Sequence, residues 1–298
     1  MSISTEQHNY RLLTVIVVYE RELTDVKSFD YLYSQLNSYL STRDINKNEI
    51  FLLEQIIIYD NSKKACYKYS ENLEGCSYFH NADNGGTAAA YTYACNLASK
   101  VGIDWLLLLD QDTALPDRFF EKASESIAKS SINPTALVPW VFHGKDVVSP
   151  ARVTDFGTII PLHYNSAKTS GSFQTAISSG SILYVPTLST ILPMPSAFWL
   201  DYVDHWIFLQ LQLRGLPILL FDASLKHNLS VSNIESLSHN RLTSILNGEY
   251  AFIAMLGVKA KILYPFRLIA RIFNYIFPRP DLAIHTIAWI AHRLRRSR

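Results

Sequence analysis

The sequence predicts an α/β protein: a mostly parallel sheet flanked by helices, with a C-terminal helical extension. Three observations predict it. Short apolar, β-branched runs alternate with segments of helical spacing from Leu12 to Asp222. One run, Leu106-Leu107-Leu108-Leu109, is apolar on both faces, as in the middle of a parallel sheet, and it ends in Asp110-Gln111-Asp112. From Ala251 onward nine Lys and Arg stand against a single acid, Asp281, interleaved with aromatic and aliphatic residues at roughly helical spacing.

The elements follow in order. Leu12 to Tyr19 is a β-branched first strand. Asp25 to Leu40 has helical spacing, with Leu32, Leu36 and Leu40 on one face. Phe51 to Tyr59 is a second strand that ends in Asp60-Asn61-Ser62, and Cys76 to His80 is a short third. Gly85-Gly86 opens a turn into an alanine-rich helix, Thr87 to Lys100. Asp104 to Leu109 is the central strand, and Pro116 to Lys129 a helix. Ala136 to Phe142 and Asp155 to Pro161 are further strands, and Ile177 to Val185 encloses Ser178-Ser179-Gly180-Ser181. Asp204 to Arg214 is a helix stopped by Gly215 and Pro217, and Pro217 to Asp222 is a last strand. A boundary near Ser230 to Ser238 divides the chain into a body, residues 1–235, and a basic amphipathic helical tail, residues 236–298.

Composition narrows the function. A net charge of +1 says nothing by itself about nucleic acid, and no nucleic-acid partner is expected. Three cysteines, Cys66, Cys76 and Cys95, have no metal-like spacing and read as free thiols of a reducing cytosol. The polar start from Met1 to Tyr10 has no secretory leader, and no apolar run reaches the ~18–20 residues of a membrane span. The expected location is therefore cytoplasmic. The basic, aromatic tail suits the headgroup region of an anionic membrane, or else packs on the body with a solvated basic tip.

The chemistry is written at the strand ends. Glu20 follows the first strand, Asp60 and Asn61 the second, Asn84 and Gly85 the third, Asp110 and Asp112 the fourth. In a parallel sheet all of these converge on one edge, where open α/β sheets bind ligands. Two carboxylates one residue apart suit Mg²⁺ or Mn²⁺ carried with a diphosphate, because these hard ions take oxygen ligands and keep positions open for phosphate. Glycine beside Asn84 lets a backbone approach a nucleotide closely.

The stretches IVVYE, IIIYDNSKK, NADNGGTAAAYTYACN and LLLLDQDT resemble the nucleotide-binding half of family 2 glycosyltransferases of the GT-A fold. The Asp-Gln-Asp form is most similar to bacterial rhamnosyltransferases that build O-antigen or capsule chains. The resemblance covers about Thr14 to Ser230. It implies a nucleotide-sugar donor at Tyr19, Glu20, Asp60, Asn61, Asn84, Gly85 and Asp110. It implies a divalent cation at Asp112, helped by Asp110 and His227. Acceptor contacts fall on Ser179, Gly180, Ser181 and Asp201, and Asp204, in Phe198-Trp199-Leu200-Asp201-Tyr202-Val203-Asp204-His205-Trp206, matches the catalytic base. The implied reaction inverts the anomeric centre, with L-rhamnose on dTDP as the donor and a cell-surface polysaccharide or lipid-linked oligosaccharide as the acceptor. A UDP-linked hexose or galactofuranose is the alternative donor. The chain departs from the family pattern at Glu20, Trp206 and Gln210, which keeps a non-catalytic assembly partner of the same fold open. A haloacid dehalogenase-type phosphatase also uses a strand followed by Asp-x-Asp, but there the pair follows the first strand.

Overall fold

The computed structural model describes residues 10–42, 51–66, 73–164, 175–226 and 234–296. The main sheet contains β1 (Tyr10–Val18), β2 (Phe51–Asp60), β3 (Cys76–His80), β4 (Trp105–Asp110), β5 (Ala136–His143), β6 (Asp146–Ser149), β9 (Ile182–Tyr184) and β10 (Ile218–Lys226). Its order is β10-β5-β9-β4-β1-β2-β3, with β6 beside β5. β1 to β4 are mutually parallel and β10 is parallel to β5, whereas β9 runs antiparallel to both β4 and β5. The α/β reading with a mostly parallel sheet therefore holds, with β9 as an inserted reversal.

The central strands are apolar on both faces because both are covered. In β4, Leu106 and Leu108 pack into one layer and Leu107 and Leu109 into the other, as the two-residue period of a strand requires. In β1 the same alternation sends Leu13 and Val15 one way, Leu12 and Ile16 the other. The first layer is closed by α2 (Gly86–Val101) and α5 (Val203–Leu213), through Tyr91, Ala94, Ala98 and Phe208. The second is closed by α1 (Phe29–Thr42) and α3 (Phe119–Ala128), through Leu32, Leu36 and Phe119. All four β4 leucines are fully buried, each stabilising the fold by about 1.5–3 kcal/mol relative to exposure.

Several boundaries differ from the sequence reading. Leu23–Asp25 is a short 3-10 turn, so α1 starts at Phe29 rather than Asp25. The expected strand over Asp155 to Pro161 is instead half of a hairpin outside the main sheet. It pairs β7 (Ala151–Val153) with β8 (Ile159–Pro161) around a turn that uses Gly157 at φ +77°. A one-turn helix, α4 (Val185–Ser189), follows β9 directly.

Three helices end the chain: α6 (His239–Met255), α7 (Val258–Ile276) and α8 (Pro280–Arg296). Ser238 caps α6 by accepting the Arg241 N–H at 3.2 Å. The sequence reading places α6 in the tail, yet its Phe252 is buried in the same layer as α2 and α5. α7 and α8 join it through a smaller cluster of Leu242, Leu246, Tyr264, Leu268 and Leu282. No helix among the described residues is long and apolar enough to cross a membrane.

Candidate active site

The four strand ends expected to converge do so. Across the ladder Asp110 stands beside Val17, Val18 beside Asp60, and Asp60 beside His80. Backbone groups then tie the strand ends together. The Tyr19 N–H donates to Gln111 Oε1 at 2.8 Å, the Glu20 N–H to Ser62 Oγ at 2.6 Å, and the Asn61 N–H to the Val18 carbonyl at 2.9 Å. Glu20 itself is exposed, with φ +52°.

Asp60 is fully buried and faces its own loop. It accepts the Ser62 N–H at 2.8 Å, the Cys66 N–H at 3.0 Å and the Tyr78 hydroxyl at 2.5 Å. Burial pushes this carboxyl up, but the hydrogen bonds outweigh it and hold the group below its usual range. Asp60 therefore shapes the 62–66 loop from behind. That loop, with Glu20 and Arg21, walls a depression of about 490 Å³ beside the sheet edge.

The third strand end leads into the start of α2. Asn84, at φ +51°, accepts the Gly86 N–H at 3.3 Å, and Asn61 donates to the Gly86 carbonyl at 3.1 Å. Gly85 stands between them as the residue before the helix. Gly86 has φ +70°, and a Cβ there would lie 2.1 Å from the Trp199 carbonyl oxygen. That carbonyl accepts the Ala88 N–H at 3.1 Å, and the Leu200 carbonyl accepts the Thr87 hydroxyl at 3.3 Å. Gly86→Ala is accordingly expected to cost about 2–4 kcal/mol, from a left-handed alanine plus a contact with immovable backbone. Urea unfolding checks this, and an unchanged midpoint would remove the clamp between α2 and the 199–200 segment.

β4 delivers Asp110 and Asp112 into a cleft of about 500 Å³ that Tyr19, Tyr91, Asp201 and Asp204 also line. The turn after β4 is braced from behind. Ser179 Oγ accepts the Asp110 N–H at 2.9 Å and lies 2.6 Å from Thr113 Oγ1. Gly180 donates to the Leu108 carbonyl at 2.7 Å, and its φ of +86° and the Leu225 side chain pressed on it leave no room for a Cβ. Ser181 donates to the Ile177 carbonyl at 2.8 Å. Ser179 and Ser181 are thus buried and internally bonded. Ser178, 3.0 Å from the Tyr91 hydroxyl, is the serine of this segment that reaches the cleft wall. Ser179, Gly180 and Ser181, expected against the acceptor, sit behind the cleft because this segment pairs with β4 and turns its hydroxyls inward, while Ile177 and Ser178 line it.

The opposite wall begins where α5 starts. Tyr202, at φ +63°, turns the chain into the helix, and Asp204 follows in its first turn. Asp204 accepts the His205 N–H at 2.8 Å and keeps about a fifth of its side chain exposed to the cleft. His205 Nδ1 lies 2.7 Å from Thr175 Oγ1. Asp201 is buried and paired at 2.8 Å with Arg241 from α6. Burial raises its carboxyl, Arg241 opposes this, and the net position is above the usual range. Tyr91 is held well above its ordinary value by burial first, and then by Asp110 and Asp204, two carboxylates facing it from opposite walls.

Arg241, His205, Tyr91 and Gln111 were not singled out as site residues in the sequence. For Arg241 the one available signal is Ser238, a helix N-cap that places the arginine in a first turn. His227, expected near the cation, lies outside the described residues. Among the described residues no three His, Cys, Asp or Glu side chains gather as a metal site. Asp110 and Asp112 offer two hard oxygen donors at an open cleft. That donor set fits a divalent cation that shares its coordination with phosphate and water.

The family model for Glycosyl transferase family 2 matches residues 14–179, more than half of the chain. The chain belongs to glycosyl transferase family 2. The matched span of this family 2 protein runs from β1 to Ser179, which braces the turn after β4, and the architecture is GT-A. Among solved structures it is similar to GalNAc-T7, determined with UDP, GalNAc and Mn²⁺, at a TM-score of 0.57 and 14% identity, covering 85% of this chain and 49% of that one. It also aligns with TarS of S. aureus at a TM-score of 0.45 and 13% identity, covering 91% of this chain and 44% of that one. The family 2 chain thus spans less than half the length of either protein, and the likeness to GalNAc-T7 speaks for the fold. No curated protein sequence matches it.

Proposed function

We propose that this protein transfers a sugar from a nucleoside diphosphate to a hydroxyl acceptor, with inversion at the anomeric carbon. The observation that carries this reading is that Asp110 and Asp112 on one wall and Asp204 on the other open into a single cleft. Acceptor oxygen bonds to the anomeric carbon as the bond to the diphosphate breaks, and the diphosphate leaves with both electrons of that bond. Asp204 takes the hydroxyl proton. Asp110 and Asp112 would hold Mg²⁺ or Mn²⁺, which when bound neutralises charge developing on the leaving diphosphate. The GalNAc-T7 structure was determined with UDP, GalNAc and Mn²⁺. Tyr19 and Gln111, joined through the Tyr19 N–H, fix the floor under the donor. Arg241 positions Asp201 on the acceptor side. The 62–66 loop shaped by Asp60 is the place for the base.

The donor we infer is dTDP-L-rhamnose, with UDP-linked hexose or galactofuranose next. The acceptor is a cell-surface polysaccharide or lipid-linked oligosaccharide, reached by peripheral contact of the C-terminal helices with the cytoplasmic face of a bacterial membrane. A panel of nucleoside diphosphates in thermal-shift binding, with and without Mg²⁺ or Mn²⁺, tests the donor site. At a hundredfold excess over Kd, a ligand that binds only the folded chain stabilises it by about 2.7 kcal/mol. Metal-dependent stabilisation by dTDP above UDP, lost in Asp112→Ala, is the expected result. Preference for UDP would overturn rhamnose but keep the reaction. No stabilisation by any nucleotide would favour a non-catalytic assembly partner.

A further inference from the structure

The C-terminal charges do not sit where a basic membrane-binding tail would put them. Arg267 donates to the carbonyls of Phe156 and Gly157, both at 2.9 Å. Arg271 pairs with Glu249 at 2.6 Å, and Arg279 with Asp281 at 2.7 Å. Arg293 lies 4.4 Å over the Tyr250 ring, and Lys259 meets Asp155 at 3.0 Å. Five of the nine basic residues beyond Ala251 therefore have partners within the protein.

What α7 turns outward is apolar. Val258, Ile262, Phe266, Ile269, Phe273 and Ile276 are 70, 62, 64, 49, 66 and 41% exposed. They occupy positions i, i+4, i+8, i+11, i+15 and i+18, which is one face of a helix. Ala260, Tyr264 and Leu268, on the other face, are buried. The stripe runs about 27 Å at 1.5 Å per residue. Scattered exposed apolar residues are ordinary on a protein surface, whereas an unbroken stripe of this length is not. Lys259 and Lys261 are exposed beside its N-terminal end, and no acid lies on α7.

We propose that this face of α7 is a bilayer-seating surface. The helix lies in the membrane plane with the stripe among the acyl chains and Lys261 reaching up to the phosphates. The proposal rests on the membrane contact inferred above and changes its nature, from attraction of a basic tail to insertion of an apolar face. Charge selects lipid as the occupant. At the edge of the stripe Asp155 is taken up by Lys259, and α7 itself carries no acid, so a second copy would bring two Lys261-edged faces together, whereas a phospholipid surface supplies phosphates. Seating also has a fixed relation to the cleft. Arg267, on the buried side of α7, grips the turn between β7 and β8, and the next residue after that turn, Ile159, lines the cleft wall.

Flotation of the full chain with vesicles tests this. Wild type is expected to bind phosphatidylcholine vesicles with or without phosphatidylglycerol, and to stay bound in about 0.5 M NaCl, where surface charge is screened within a few ångströms. Phe266→Ser with Phe273→Ser is expected to weaken partitioning roughly tenfold or more, since two large apolar side chains are removed from the inserted face. Both residues are exposed, so the melting temperature should hold. Failure of wild type to bind any vesicle would overturn the membrane contact itself. Binding that survives the double substitution, or that needs phosphatidylglycerol and vanishes in salt, would overturn α7 insertion alone. A concentration-dependent dimer lost in the double variant, without vesicle binding, would assign the face to self-association. None of these readouts depends on sugar transfer.

Discussion

Asp204→Asn is expected to lower kcat by about two to four orders of magnitude, the usual contribution of a positioned general base, if Asp204 acts as proposed. The substitution separates chemistry from architecture. In the folded protein Asp204 accepts the His205 N–H at 2.8 Å, and an asparagine oxygen accepts the same bond, so the start of α5 is retained. Nucleoside diphosphate binding on the opposite wall and the unfolding midpoint should therefore match wild type. The measurement is steady-state transfer together with a thermal melt and nucleotide titration of the same preparation. Full kcat in the asparagine variant would move the base elsewhere, with His205, the adjacent cleft residue, as the next to substitute. Equal loss of nucleotide binding and stability would instead make Asp204 a structural residue.

Arg271→Ala is expected to cost about 3–5 kcal/mol of folding free energy, because it strands a buried carboxylate. Glu249 on α6 is 7% exposed and meets Arg271 of α7 at 2.6 Å. Burial alone would lower the guanidinium's proton affinity, but Glu249 more than compensates and raises it. The same carboxylate lies 3.4 Å from the Tyr264 hydroxyl, whose ionisation it and burial both suppress. Replacing both partners together, Glu249→Leu with Arg271→Met, should recover most of the loss, since a packed apolar pair of similar volume is often as stable as a buried ion pair. Urea unfolding of the two singles and the double closes this cycle. A single-variant loss below about 1 kcal/mol would place the pair among surface bridges. The effect reaches the cleft because α6 carries both Glu249 and Arg241, the partner of Asp201.

The parts of this fold that are legible in the sequence are those fixed by local pattern. β1, β2 and β4 are strands because their β-branched and leucine runs can be buried on two faces, and Gly215 with Pro217 ends α5 where expected. β9 is three residues long, too short for any period to show its reversed direction. The Asp155 to Pro161 run reads as one strand because Gly157 is the sole sign of the turn within it. At the site, the strand-end order brings Asp110 and Asp112 to one cleft, whose other wall holds Asp204, a residue that only the family resemblance singled out. Contacts between distant segments stayed hidden. Gly86 and Trp199 are far apart in the chain, as are Asp201 and Arg241, and no local spacing encodes either meeting. Asp60 shows the limit most plainly: a carboxylate at a strand end looks available to a ligand until its loop folds over it.

The start of α2 carries a consequence for how charge is handled in the cleft. Aligned peptide dipoles leave the first turn of a helix electropositive, and its unpaired N–H groups commonly receive phosphate. Here two of those groups already have partners inside the protein, Gly86 with the Asn84 side chain and Ala88 with the Trp199 carbonyl. An anion arriving at this end of α2 would compete with both, and displacing Trp199 would loosen the segment that leads to Asp204. The helix terminus is thus engaged in holding the segment that leads to Asp204, and in the reaction proposed above, countering the diphosphate falls to the cation that Asp110 and Asp112 would hold.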